Sequence, residues 1–268
     1  MTRKYVFTGE TKMFQGCILH RIMATRTFGR VKNGQIGGWI EEESNLSHED
    51  DAWVSDEATV YTDAQVTDGA QVRGKSSVYG KSIIRDLAEI CDRARVGESS
   101  TVSGMASVSD DARVLEKSEV SDEARVFDNA TIINRAKVLN NASVSGRASI
   151  GNSAVIYGSA YVTGEVRVRG NAHICGAVHI SGGAVVKSNA LLSRGSHICW
   201  FTHVGSEFGT LTAYLGKNKE LRITRGCFEG TLSDFEKAVQ DTHQGSKIAK
   251  EYEALIQFLR IRFGEVTE

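Results

Sequence analysis

The chain has 268 residues, with 32 basic against 33 acidic side chains and no proline. A net charge of −1 excludes general attraction to nucleic acid or to an anionic membrane surface. No apolar run reaches the roughly 18 residues of a membrane span and no signal-peptide pattern follows Met1, so a cytoplasmic location is expected. The five cysteines are scattered and form no Cys-x-x-Cys pair, which reads as a reduced chain without a structural metal.

Residues 1–51 are predicted to form an N-terminal β cap. Lys4–Gly9 and Gly16–Phe28 read as strands, and Lys32-Asn33-Gly34 is a turn signal. From Val54 to Val204 every sixth residue is aliphatic, 26 positions without a break. Two residues before each stands a small side chain, Ala in 18 cases, and two residues after it stands mostly Gly, Asn or Asp.

A helix has a period of 3.6 and a strand a period of two, so neither alone gives six. A short strand followed by a sharp corner does, with Gly, Asn and Asp supplying the positive φ that a tight corner needs. Three units close a triangle of 18 residues, and successive triangles stack as parallel strands. Residues 52–206 are therefore expected to form a parallel β-helix, a triangular prism of about 8–9 coils at the usual strand spacing. Stacked repeats bury a continuous aliphatic core and need capped ends.

Residues 207–268 are predicted to form a small α+β domain. It comprises a hairpin from Leu211–Tyr214 and Glu220–Thr224, a helix opened by Ser233 and Glu236 at capping-box spacing, and a second helix from about Ser246. The second helix carries Ile248, Tyr252, Leu255, Ile256 and Leu259 on one face.

The six-residue repeat resembles that of the hexapeptide-repeat, left-handed parallel β-helix family. Two further segments are similar to the YdcK-like group of that family in bacteria and their phages. They are Asn33-Gly-Gln-Ile-Gly-Gly-Trp-Ile40, which leads into Ala52-Trp-Val54, and Thr224-Arg-Gly-Cys-Phe-Glu-Gly-Thr231. The resemblance implies a left-handed helix and, as in most such proteins, a homotrimer of parallel prisms. Members of this group mostly lack an assigned reaction.

With the phase fixed, each outward residue falls on a face. The face of Val60, Val78 and their successors to Val204 is expected to display Arg95, Arg113, Arg167, Arg169, Lys187 and His203, with no Asp or Glu beside them. Arginine offers paired donors to phosphate or carboxylate, so these six are the candidate ligand-binding residues. The face of Val66 to Leu192 displays Ile83, Leu139, Val155, Tyr157 and Leu191, an apolar column suited to an oligomer interface.

His173, His179, His197 and His203 each precede an inward aliphatic and should point outward, with His197 one coil above His179. Resemblance to hexapeptide acyltransferases implies an outward histidine as general base and an acyl-CoA in the groove between prisms, with His197 and His179 as the catalytic candidates. Such enzymes commonly extrude a loop that builds the acceptor pocket, and the unbroken count leaves no room for one. Trp200 is expected to plug the open end of the prism.

Three readings follow. The preferred one is a non-catalytic, homo-oligomeric scaffold without a cofactor that binds a protein partner or a small anionic ligand, of the kind a phage protein uses to sequester a host factor or nucleotide signal. The second is an acyltransferase using acetyl-CoA or another acyl-CoA. The third is a purely structural assembly module.

Overall fold

The computed structural model of the protein describes residues 3–264. Twenty-four two-residue strands, β4 (Trp53–Val54) through β27 (Leu191–Leu192), wind into a parallel β-solenoid of about nine turns. Each strand pairs with the one 18 residues away, as Val60 with Val78 and Arg95 with Arg113, so three sheets run the length of the rod. The aliphatic residue of every pair, from Val54 to Leu192, is fully buried, and the alanines behind it join the same cluster. A lone two-residue strand has no stability of its own; stacking on the coils above and below supplies it.

The corners explain the composition two residues after each aliphatic. Asp56, Asp86, Asp110, Asp128, Asn134 and Asn152 all adopt φ between 55° and 65°. Their side chains also bridge coils. The Asp56 carboxylate accepts the Gly74 N–H at 2.9 Å, Asp128 accepts the Gly146 N–H at 2.9 Å, and the Asn140 amide oxygen accepts the Gly158 N–H at 3.2 Å. Asp and Asn thus tolerate the left-handed backbone and satisfy a donor one coil away, work a glycine cannot do.

At the N-terminal end, β1 (Tyr5–Phe14), β2 (Cys17–Ala24) and β3 (Ile36–Ile40) extend one of the three sheets to 11 strands. Strand β3 runs parallel to the solenoid, with Ile40 opposite Val60, and Leu46 bridges to Val66. The first, incomplete coil therefore forms before Ala52.

Its polar groups are closed by buried side chains. The Lys4 ammonium donates to the carbonyls of Glu49 (3.0 Å) and Ala52 (2.8 Å). The Tyr5 hydroxyl donates to Leu46 O (2.9 Å). The Asn45 amide donates to Thr62 O (2.7 Å) and Ala64 O (2.9 Å) while accepting from the N–H groups of Glu41 and Glu42.

At the other end the chain leaves the solenoid through a 3₁₀ turn at Gly195–His197 and enters a four-stranded antiparallel sheet. This sheet is β28 (Ile198–Val204), β29 (Gly209–Leu215), β30 (Leu221–Arg225) and β31 (Phe228–Thr231). One side of it closes the prism. Ile198 and Tyr214 belong to the solenoid core, and Trp200 packs against it as the expected plug. Cys199 and Phe201 face the opposite way, into a second core formed with α1 (Leu232–His243) and α2 (Lys247–Phe263).

The six-residue count runs on to Ile198 and Val204, the two ends of β28, which lies beyond the last coil. A register shift between Phe201 and Val204, with His203 at φ 56°, then turns Val204 into the second core. Helix α1 is capped by Thr231 and Asp234 rather than by the expected Ser233 and Glu236; α2 is capped by Ser246.

Candidate functional site: an arginine-bearing sheet face

On the face that continues from the N-terminal sheet, the outward residues just before the buried aliphatics stack in the order Ser77, Arg95, Arg113, Thr131, Ser149, Arg167, Val185. Arg95 and Arg113 are direct neighbours, and so are Ser149 and Arg167. Three coils separate Arg113 from Arg167, about 14 Å at roughly 4.8 Å per strand. The six candidates therefore do not form one patch. Arg95 and Arg113 make one basic group, and Arg167 with Arg169 makes another.

Arg95, Arg113 and Arg167 are exposed, whereas Arg169 lies half-buried along the sheet. Its guanidinium occupies the space above Gly151, where a Cβ would stand 2.4 Å from Nη1, and its Nη2 donates to Ser149 Oγ at 3.1 Å. Nη1 is buried without a hydrogen-bond partner. Burial lowers the Arg169 pKa, and the charge of Arg167 beside it acts in the same direction.

Among the described residues none of these four arginines makes an ion pair. Elsewhere on the solenoid Arg73, Arg93, Lys137 and Arg147 each hold a carboxylate. Asp111 is taken by Arg93 at 2.7 Å, a bond that pulls its carboxyl below the usual range, with Arg113 and Arg95 adding to the effect.

Two expected members of the face are placed differently. Lys187 lies at its C-terminal end but is 3.7 Å from Glu229, contributed by the antiparallel sheet. His203 is absent from the face, because it belongs to β28 after the chain has left the solenoid.

His197 likewise does not stack on His179: the strand of His179 pairs only on its N-terminal side, and His197 sits in the 3₁₀ turn with Nδ1 accepting the Ser193 N–H at 3.4 Å. His179 is exposed and stacks on Tyr161 at 5.0 Å. His173 meets Tyr157 edge-on at 6.2 Å, and burial lowers its pKa. On the apolar face Ile83 is exposed, while Leu139, Val155, Tyr157 and Leu191 are half-buried.

One feature of the arginine face is missing from the sequence expectations. Tyr61 and Tyr79 stack at 5.5 Å, Phe14 of the N-terminal hairpin meets Tyr61 edge-on at 5.7 Å, and the Tyr79 ring lies over Gly97. Burial pushes the Tyr61 hydroxyl up to about 12. Tyr61, Tyr79 and Gly97 occur at 18-residue intervals, a signal that counting the column after each aliphatic reveals. Together with Phe14, Ser77 and Arg95 the tyrosines border a hollow of about 260 Å³.

No helix is long and apolar enough to cross a membrane, and among the described residues no three His, Cys, Asp or Glu side chains gather as a metal site. No known protein-family profile matches the chain, and no curated protein matches it.

Proposed function

We propose that this chain is a non-catalytic, homo-oligomeric scaffold of the hexapeptide-repeat, YdcK-like kind that binds an anionic ligand or partner on its arginine face. The observation that carries the reading is the set of four arginines without carboxylate partners on one solenoid face, with Thr131 and Ser149 between the two basic groups. Elsewhere on the solenoid Arg73 and Arg93 hold acids, whereas the exposed Arg125 and Arg135, like these four, make no ion pair among the described residues. Leaving four unpaired on one face keeps their forked donors available for phosphate or carboxylate oxygens.

Tripolyphosphate, titrated by calorimetry against the whole protein, tests the reading. A variant with Arg95, Arg113, Arg167 and Arg169 all changed to Glu should abolish binding with the circular dichroism spectrum unchanged. Arg147→Glu, which alters a corner arginine facing Glu165, should leave binding within about twofold, since surface pairs contribute little. Equal binding by both variants would remove the arginine face from consideration. Turnover of acetyl-CoA that disappears in His179→Ala would replace the scaffold reading with acyl transfer.

A further inference from the structure

Between the antiparallel sheet and the two helices lies a cavity of about 380 Å³, remote in sequence from the arginine face. Its wall includes Phe228, Phe235, Tyr252, His243, Cys227 and Arg225. The rings form a chain: Phe228 and Phe235 are 5.2 Å apart, Phe235 meets Tyr252 edge-on at 5.3 Å, and Tyr252 lies 5.9 Å from His243. Small-molecule sites have this character, a largely apolar concavity of a few hundred Å³ with a few polar groups that fix orientation.

Among the polar groups of the wall, which also include Glu207 and Thr242, Arg225 is the guanidinium. It ends β30, and its Nη2 donates to Val204 O at 2.7 Å, which fixes the guanidinium against β28. Two glycines make room for it: a Cβ on Gly209 would stand 2.6 Å from Nη1, and one on Gly205 3.1 Å from Nη2. Its Nε is buried without a partner, and among the described residues it makes no ion pair. Glu251, beside Tyr252 on α2, is engaged instead by the Gly205 N–H at 3.0 Å. A guanidinium anchored at one corner, with donors to spare, borders a pocket of aromatic rings; Glu207 is exposed at the rim of the same pocket and, among the described residues, makes no ion pair with it.

We infer that this cavity binds a small aromatic carboxylate, its ring against Phe228, Phe235 and Tyr252 and its carboxylate on Arg225. A carboxylate matches the fork of a single guanidinium. An aromatic body matches the edge-to-face arrangement of the wall. The inference is independent of the arginine face, because it shares no residue with it.

The exposed thiol of Cys227 on the cavity wall gives a local readout. Alkylation of Cys227 by iodoacetamide, followed by peptide mass spectrometry on the full chain, should slow as phenylacetate is added, while alkylation of Cys17 in the N-terminal hairpin should not. The neutral isostere phenylacetamide and inorganic phosphate should each give at least about tenfold less protection at equal concentration, the usual worth of a charged hydrogen bond. Arg225→Gln should raise the phenylacetate concentration needed by about tenfold or more. Ala238→Phe, which narrows the cavity from α1, should abolish protection in a protein of unchanged circular dichroism. The proposal is overturned if Cys227 is not protected in the unaltered protein, if phenylacetamide or phosphate protects as well as phenylacetate, or if Ala238→Phe leaves protection intact.

Discussion

The two ends of the solenoid meet the same difficulty in opposite ways. Every β-helix ends in a coil whose backbone groups lack a neighbour, and such an edge is open to aggregation. At the N-terminal end a few buried polar side chains, Lys4, Tyr5 and Asn45, reach individual backbone groups. At the C-terminal end a separate sheet with its own core lies across the last coil, and hydroxyls from that sheet complete the edge. Thr212 Oγ1 accepts the Val185 N–H (3.0 Å), Tyr214 Oη accepts the Lys187 N–H (3.1 Å), and Thr224 Oγ1 donates to Val185 O (2.7 Å). The first end concentrates its closure in single side chains, and the second distributes it over a packed surface. Loss of one group should therefore weigh more at the first.

Asn45→Ala breaks that comparison most directly. It removes four hydrogen bonds from a fully buried amide and should cost about 3–4 kcal/mol in urea unfolding, most of it from backbone groups left unpaired. A loss under about 1 kcal/mol would show that water replaces the amide and that the N-terminal closure is not concentrated.

At the other end Thr212→Val keeps shape and removes one acceptor, so about 1–2 kcal/mol is expected from the same measurement. A cost equal to that of Asn45→Ala would erase the distinction between the ends.

The smallest effect concerns Lys4, whose pKa burial brings down to about 8 against the opposing pull of Asp50. Because the folded pKa is below the ordinary 10.5, the unfolded chain binds more protons between about pH 8 and 10.5, and stability should rise across that window. Thermal unfolding of the unaltered protein minus that of Lys4→Met should show a difference that grows from pH 8 to 10. A difference that shrinks would mean that the three carbonyls around Nζ hold the ammonium charged more strongly than burial discharges it.

The same contrast governs how much the sequence reveals. The solenoid is legible because its period is local and repeated: buried aliphatics, small residues behind them and left-handed corners all follow from residue type and count. The C-terminal hairpin and helices are legible from amphipathic spacing, although the α1 cap lies two residues earlier than its spacing implies. Lys4 and Asn45 carry no local mark of their roles, because their partners are fixed only once distant segments meet.

At the candidate site Arg95, Arg113, Arg167 and Arg169 fall on the face the phase assigns. Lys187 is taken by a glutamate from outside the repeat. His197 and His203 mislead because the six-residue count runs on after the last coil has ended, through a 3₁₀ turn and into β28.

The corner bonds give the rod a property that a compact core lacks. Each coil is tied to the next through its backbone ladder and through Asp and Asn side chains, so axial distance becomes a count of residues. The gap between Arg113 and Arg167 is three coils, and excising one 18-residue turn would bring the two basic groups closer by a single strand spacing, about 4.8 Å, without redesigning either. The chain is built as a graduated ruler, on which genetic insertion or deletion in whole turns resets the distance between the two basic groups.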